Sequence, residues 1–120
     1  NGCTVDGQIV STGGMFAPFL QQTSLEEKKK NIEKYEENAI DEIKNIDIYK
    51  FNYTFEDDKD KKHVGFVIGD KYNYDKNITS NNNDGVDLYS FISVCCKAIQ
   101  EQQKEIEELK EEINKLKKEE

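Results

Sequence analysis

The chain has 120 residues, of which 35% are hydrophobic and 35% charged, and its net charge is −8. That length fits one domain plus an extension, and so small an apolar share predicts a core that is small or shared between chains. The acid excess, with no basic stripe standing clear of acids, argues against nucleic-acid binding, and no apolar run reaches membrane-spanning length.

Residues 1–23, NGCTVDGQIVSTGGMFAPFLQQT, carry a single charge at Asp6. The stretch holds Gly2, Gly7, Gly13, Gly14 and the sole proline, Pro18. GQIVS reads as a short strand, and MFAPFL is broken by Pro18. The expectation is an extended segment whose apolar side chains want a neighbour. The chain opens without Met, in mid-pattern and with no signal-peptide signature, which predicts a fragment of a longer chain.

From Ser24 to about Asn45 the pattern predicts a helix. Ile32, Tyr35, Ala39, Ile43 and Ile46 recur at spacings of three and four, giving one apolar stripe among Glu, Lys and Asn. At its start, Ser24 and Glu27 have the spacing of a capping box, in which the serine hydroxyl and the glutamate each satisfy a free backbone N–H. The lysines that follow oppose the helix macrodipole, so this is not an optimised cap. The same residues permit a serine nucleophile with a lysine base. A serine hydroxyl is a poor nucleophile until its proton is removed. A lysine removes it only in the neutral form, which desolvation and neighbouring positive charge favour. Lys28 and Lys30 flank Lys29.

Next, Tyr49, Phe51, Tyr53 and Phe55 alternate with polar residues, the period of a strand with one aromatic face. EDDKDKK is a charged turn, and HVGFVIG, residues 63–69, is a second strand. The pair reads as a hairpin, which is marginal alone and must pack on helices or on another chain. A polar loop then ends at Asp84–Gly85.

From Val86 onward no Gly or Pro interrupts one long helix. Its second half is a heptad, with Ile92, Ile99, Ile106 and Ile113 at a and Cys95, Gln102, Leu109 and Leu116 at d. Glu105 and Glu112 at g would meet Lys110 and Lys117 at e of a neighbouring chain in a parallel pairing, whereas antiparallel packing would oppose like charges. The seam therefore predicts a parallel homo-oligomer. Isoleucine at a with leucine at d favours two strands, but the polar Gln102 in the seam weakens that preference, and dimer and trimer stay open. Of the three cysteines, Cys95 and Cys96 are adjacent and Cys3 is distant, so there is neither a disulfide framework nor a zinc spacing. Reduced thiols fit folding in a cytoplasm. No metal and no cofactor are expected. The fold class is α+β: a helix, a β-hairpin and a long C-terminal helix.

Four pieces in order resemble the C-terminal intramolecular chaperone domains of phage tailspikes, endosialidases, tail fibres and neck appendages; the myelin regulatory factors carry a related domain. The family signature begins S-D-x-x-L-K-x-N-I, which SLEEKKKNI matches at Ser24, Lys29, Asn31 and Ile32. NIDIYKFNYTF, HVGFVIGDKY and DGVDLYSFISVCCKAIQEQQKEIEEL follow in the family's order, so the resemblance runs from Ser24 to Glu120. Leu25 stands where the family has Asp, and Lys28 where it has Leu.

The resemblance implies a homotrimer with a parallel trimeric coiled coil over residues 91–120. It divides the chain into 1–23, the end of a client fibre or tailspike, and 24–120, the chaperone. It implies self-cleavage between Thr23 and Ser24, with Ser24 as nucleophile, Lys29 as general base and a supporting part for His63. The partners implied are two further copies and the chain's own N-terminal client, with no nucleic acid and no membrane. The setting implied is the host cytoplasm during virion assembly. The alternative is a trimerisation module of a phage structural protein that does not cut itself.

Overall fold

The computed structural model describes residues 2–119; Asn1 and Glu120, the outer bounds of the two expected segments, lie outside them. The fold is α+β. Its elements are a 3-10 turn at Glu26–Lys28, α1 at Ala39–Lys44, β1 at Tyr49–Phe51, β2 at His63–Gly65, a second 3-10 turn at Lys76–Ile78, and α2 at Leu88–Glu119.

α2 dominates. Its 32 residues span about 48 Å at 1.5 Å per residue. Asp87 starts it: its carbonyl accepts from the Phe91 N–H at 2.9 Å and its carboxylate from the Ser90 N–H at 3.1 Å, as an N-cap does. Lys117 and Lys118 lie in the last turn, where positive charge complements the helix dipole. The helix has two working faces. Phe91, Val94, Ala98 and Glu101 face the body of the chain. The seam residues Ile92, Ile99, Ile106, Leu109, Ile113 and Leu116 lie on another face, each between 46% and 67% exposed. Cys95 is half-buried and Gln102 exposed.

The core is as small as the composition predicts. Ala39, Phe66, Ile78, Val94 and Ala98 are buried, with Ile40, Ile43, Ile46, Ile68, Tyr74 and Phe91 packed around them. Phe66 meets the edge of Phe91 at a 5.5 Å centroid distance and stacks on Tyr74 at 6.3 Å. Short α1 is held to α2 by a polar clamp. Glu101 accepts from the backbone N–H groups of Ala39 and Ile40, both at 3.1 Å. Lys97 donates to Glu101 at 2.7 Å and to the carbonyl of Glu37. These bonds hold the Glu101 carboxyl down at about 2, the Lys97 contact first and then the two backbone donors.

The helix expected from Ser24 to Asn45 does not form. Only a 3-10 turn and the six residues of α1 are helical, and the chain between them is irregular. Asn31 takes φ 55°, a left-handed conformation that interrupts any helix. The physical reason is burial. Ile32 and Tyr35, the first two residues of the expected stripe, stay exposed, and a short helix without a packed face is not stable in water. The capping box is absent too: Leu25 precedes the first 3-10 turn, and no side chain caps it.

The hairpin forms, antiparallel, with Tyr49 opposite Gly65, Lys50 opposite Val64 and Phe51 opposite His63. Both strands are shorter than the alternation suggests. After Phe51 the chain turns: Tyr53 N–H donates to the Glu56 carboxylate at 2.7 Å, and Glu56 N–H to the Tyr53 carbonyl at 3.0 Å. The aromatic face nonetheless survives as a ladder, Phe51 on Tyr53 at 5.3 Å and Tyr53 on Phe55 at 5.8 Å. The segment 2–23 forms no helix or strand, including the expected strand at GQIVS, and Phe16, Phe19 and Leu20 are exposed. With no partner strand beside it, its backbone gains nothing from a ladder.

Candidate functional site

Ser24 lies at the junction between the irregular N-terminal segment and the body. The 3-10 turn after it is closed by the Lys28 N–H on the Leu25 carbonyl and the Lys29 N–H on the Glu26 carbonyl, both 3.0 Å. Leu25 and Lys29, the residues bracketing the turn, are both extended. This doubling back brings position 29, rather than 28, to the serine. Lys29 Nζ donates to Ser24 Oγ at 2.7 Å. On a regular α-helix the i+4 residue would have faced Ser24 instead.

A third group meets the same oxygen. Tyr89, in the first turn of α2, places its hydroxyl 2.8 Å from Ser24 Oγ. Its ring lies beneath the lysine, with Lys29 Nζ 5.9 Å from the centroid, within cation–π range. Beside these groups is a polar recess of about 280 Å³ lined by Gln22, Lys29, Asp87, Tyr89, Ser90 and Ser93. A second recess is bordered by Leu20, Gln21, Gln22, Leu88, Tyr89 and Ile92. The residues just ahead of Thr23 and Ser24 therefore lie along the start of α2.

His63 sits elsewhere. Its Nε2 is 3.0 and 3.1 Å from the two Glu56 carboxylate oxygens, and its ring stacks on Phe51 at 5.7 Å. The Tyr53 N–H first, and His63 second, hold the Glu56 carboxyl below its ordinary value. Among the described residues, His63 makes no hydrogen bond to Ser24 or Lys29 within the chain.

A further polar cluster ties the irregular segment to the core. Tyr35 donates to Glu42 at 2.6 Å, and Asn77 Nδ2 donates to Glu42 at 2.9 Å and to the Tyr35 oxygen at 3.0 Å. Burial pushes Asp75 up to about 6, helped by its hydrogen bond to Glu42. Burial also pushes on Glu42, but hydrogen bonds from Asp75, Tyr35 and Asn77 outweigh it and keep that carboxyl low. Asp75 Oδ2 is buried and, as a carboxylate oxygen, has no hydrogen-bond partner; a protonated Asp75 would donate to Glu42. Burial, then the Glu42 hydrogen bond and charge, raises the Tyr35 phenol. Lys97 lies over the Tyr35 ring at 5.7 Å.

Pattern reading missed Tyr89, which meets a serine 65 positions away. Its one signal was membership in the DGVDLYSF piece at the start of the long helix. Among the described residues no cluster suits a metal ion, and no helix is long and apolar enough to cross a membrane. Cys3, Cys95 and Cys96 are free thiols.

Residues 26–70 match the family model Peptidase_S74, described as chaperone of endosialidase. The match takes in Lys29 and His63 and stops short of Ser24 on one side and of α2 on the other. No curated protein and no solved structure matches the chain.

Proposed function

We propose, from the match of residues 26–70 to the chaperone-of-endosialidase family model, that the chain is an intramolecular chaperone that releases itself. It assembles as a parallel homotrimer through α2, holds the ends of three fibrous phage chains in register, and then cuts between Thr23 and Ser24. Residues 24–120 are the chaperone, and 1–23 the end of the client. The observation that carries the cutting step is the 2.7 Å hydrogen bond from Lys29 Nζ to Ser24 Oγ.

The chemistry follows from position. Ser24 belongs to the bond it cuts. Its Oγ attacks the Thr23 carbonyl carbon as its proton passes to the neutral amine of Lys29. The tetrahedral carbon collapses with loss of the C–N bond, and Lys29 returns the proton to the departing nitrogen, which becomes the free amine of Ser24. Thr23 is then held as an ester on Oγ. Water hydrolyses that ester, freeing the Thr23 carboxyl and restoring the hydroxyl. Nucleophile and carbonyl sit on adjacent residues, so proximity supplies much of the rate, and each chain turns over once.

Trimerisation explains the exposed isoleucine–leucine seam. Fibrous β-structures nucleate slowly and slip in register. A preformed trimer raises the effective concentration of the three ends. Cutting afterwards removes the nucleating element and makes the assembly hard to reverse. These steps would run in the host cytoplasm as the virion is built, after which the client part stays on the particle.

One gel tests the cutting step. A precursor extended at its N-terminus should run as two bands when wild type and as one uncut band as Ser24→Ala. A wild-type precursor that stays whole under native folding conditions refutes self-cleavage. It would leave the assembly-only module, to which Leu25 in place of the family's Asp already points.

A further inference from the structure

We propose that Tyr89 is the positioning residue of the cutting step, donating its phenolic proton to Ser24 Oγ and tying the nucleophile to the first turn of α2. The inference rests on the self-cleavage reading above. Ser24 and Lys29 are both exposed and sit on an irregular segment. Left to themselves, two such side chains would sample many rotamers. The 2.8 Å contact from Tyr89 to Ser24 Oγ is the long-range restraint on that oxygen, and the ring 5.9 Å below Lys29 Nζ restrains the base as well.

Proton counting assigns the direction. A serine oxygen carries one proton and two lone pairs. With Lys29 as an ammonium, the lysine donates to Oγ and the Ser24 proton turns to the Tyr89 oxygen. With Lys29 as a neutral amine, the Ser24 proton points to Nζ. One Oγ lone pair then accepts from Tyr89, and the other faces the Thr23 carbonyl. In the second step neutral Lys29 takes a proton from the attacking water, and the ammonium so formed returns it to Oγ as Oγ leaves the ester, while the Tyr89 O–H, which keeps its own proton, stabilises the charge developing on the oxygen.

Position on α2 adds a consequence. Tyr89 precedes Ile92, the first seam residue, by one helical turn. The tie to Tyr89 therefore holds Oγ beside the start of the seam.

The test compares single-turnover cleavage of the full precursor as wild type, Tyr89→Phe, and a variant with a fluorinated tyrosine at position 89 whose phenol ionises near neutral pH. Tyr89→Phe keeps the ring under Lys29 and loses only the hydroxyl. It should cut about ten- to a hundredfold more slowly, with sedimentation and helical circular dichroism unchanged. The fluorinated protein should lose activity as pH rises and its phenol deprotonates, a descending limb the wild type lacks over that range. Tyr89→Phe cutting at the wild-type rate, or a fluorinated profile superimposed on the wild type, overturns the proposal. Should Tyr89→Phe fail to assemble, the fluorinated protein, which keeps both ring and oxygen, decides. A wild type that cuts and needs Ser24 and Lys29 but not the Tyr89 hydroxyl sinks this inference alone; a wild type that never cuts sinks the self-cleavage reading with it.

Discussion

Ile106→Ala isolates the seam from the rest of the molecule. Ile106 lies beyond the part of α2 that packs on the core, so the change leaves the single chain intact, and alanine is the better helix former. An isoleucine-to-alanine change in a packed interior costs about 2–5 kcal/mol. Ile106 is 46% exposed in the single chain, so the proposed assembly would remove a little under half of its surface from water. Scaling the cost accordingly leaves about 1–2 kcal/mol per chain, and the three chains of the proposed trimer would together lose about 3–6 kcal/mol. That is roughly a hundred- to ten-thousandfold in the assembly constant. Sedimentation equilibrium of the uncut Ser24→Ala chain, with and without Ile106→Ala, reads it directly. Lys104→Ala, two residues away at an outward heptad position, is the control and should change little. An Ile106→Ala protein that associates as tightly as its parent, or a parent that sediments as a monomer at every concentration, would refute the seam.

Two further outcomes concern the body of the fold. Glu101→Gln should loosen α1 from α2 and lower the urea midpoint at pH 7. Glu101 is held from an ordinary 4.5 down to about 2, so its contribution is present above 4.5 and lost as pH falls through that window. The gap between variant and wild type should therefore close towards pH 2, and a gap that is constant with pH refutes the clamp. Asp75 behaves oppositely. Its carboxyl is raised from 3.8 to about 6, so the folded state binds the proton more tightly, and stability falls as pH rises from about 4 through about 6. Asp75→Asn, which imitates the protonated acid, should flatten the melting temperature across that range; a variant as pH-dependent as the wild type would contradict the proton-bearing pair.

Local pattern determined much of this protein. The run from Leu88 to Glu119 is one helix, its heptad isoleucines and leucines share an exposed face, the alternating aromatics stack along a hairpin, and residues 2–23 form no helix or strand. Each depends on neighbours a few residues apart, where backbone period and side-chain type settle the outcome. Ser24 and Lys29 were also legible, through spacing and resemblance, although the 3-10 turn that lets position 29 rather than 28 reach the hydroxyl was not. Tertiary structure decided the rest. The apolar stripe from Ile32 to Ile46 predicted a helix, but only the part from Ala39 onward found a surface to bury against, and the clamp from Glu101 fixed where it starts. Tyr89 met Ser24, and Asn77 met Glu42, because packing closed loops of 65 and 35 residues. Periodicity carries no record of such contacts: their free energy comes from partners that only the folded chain brings within reach.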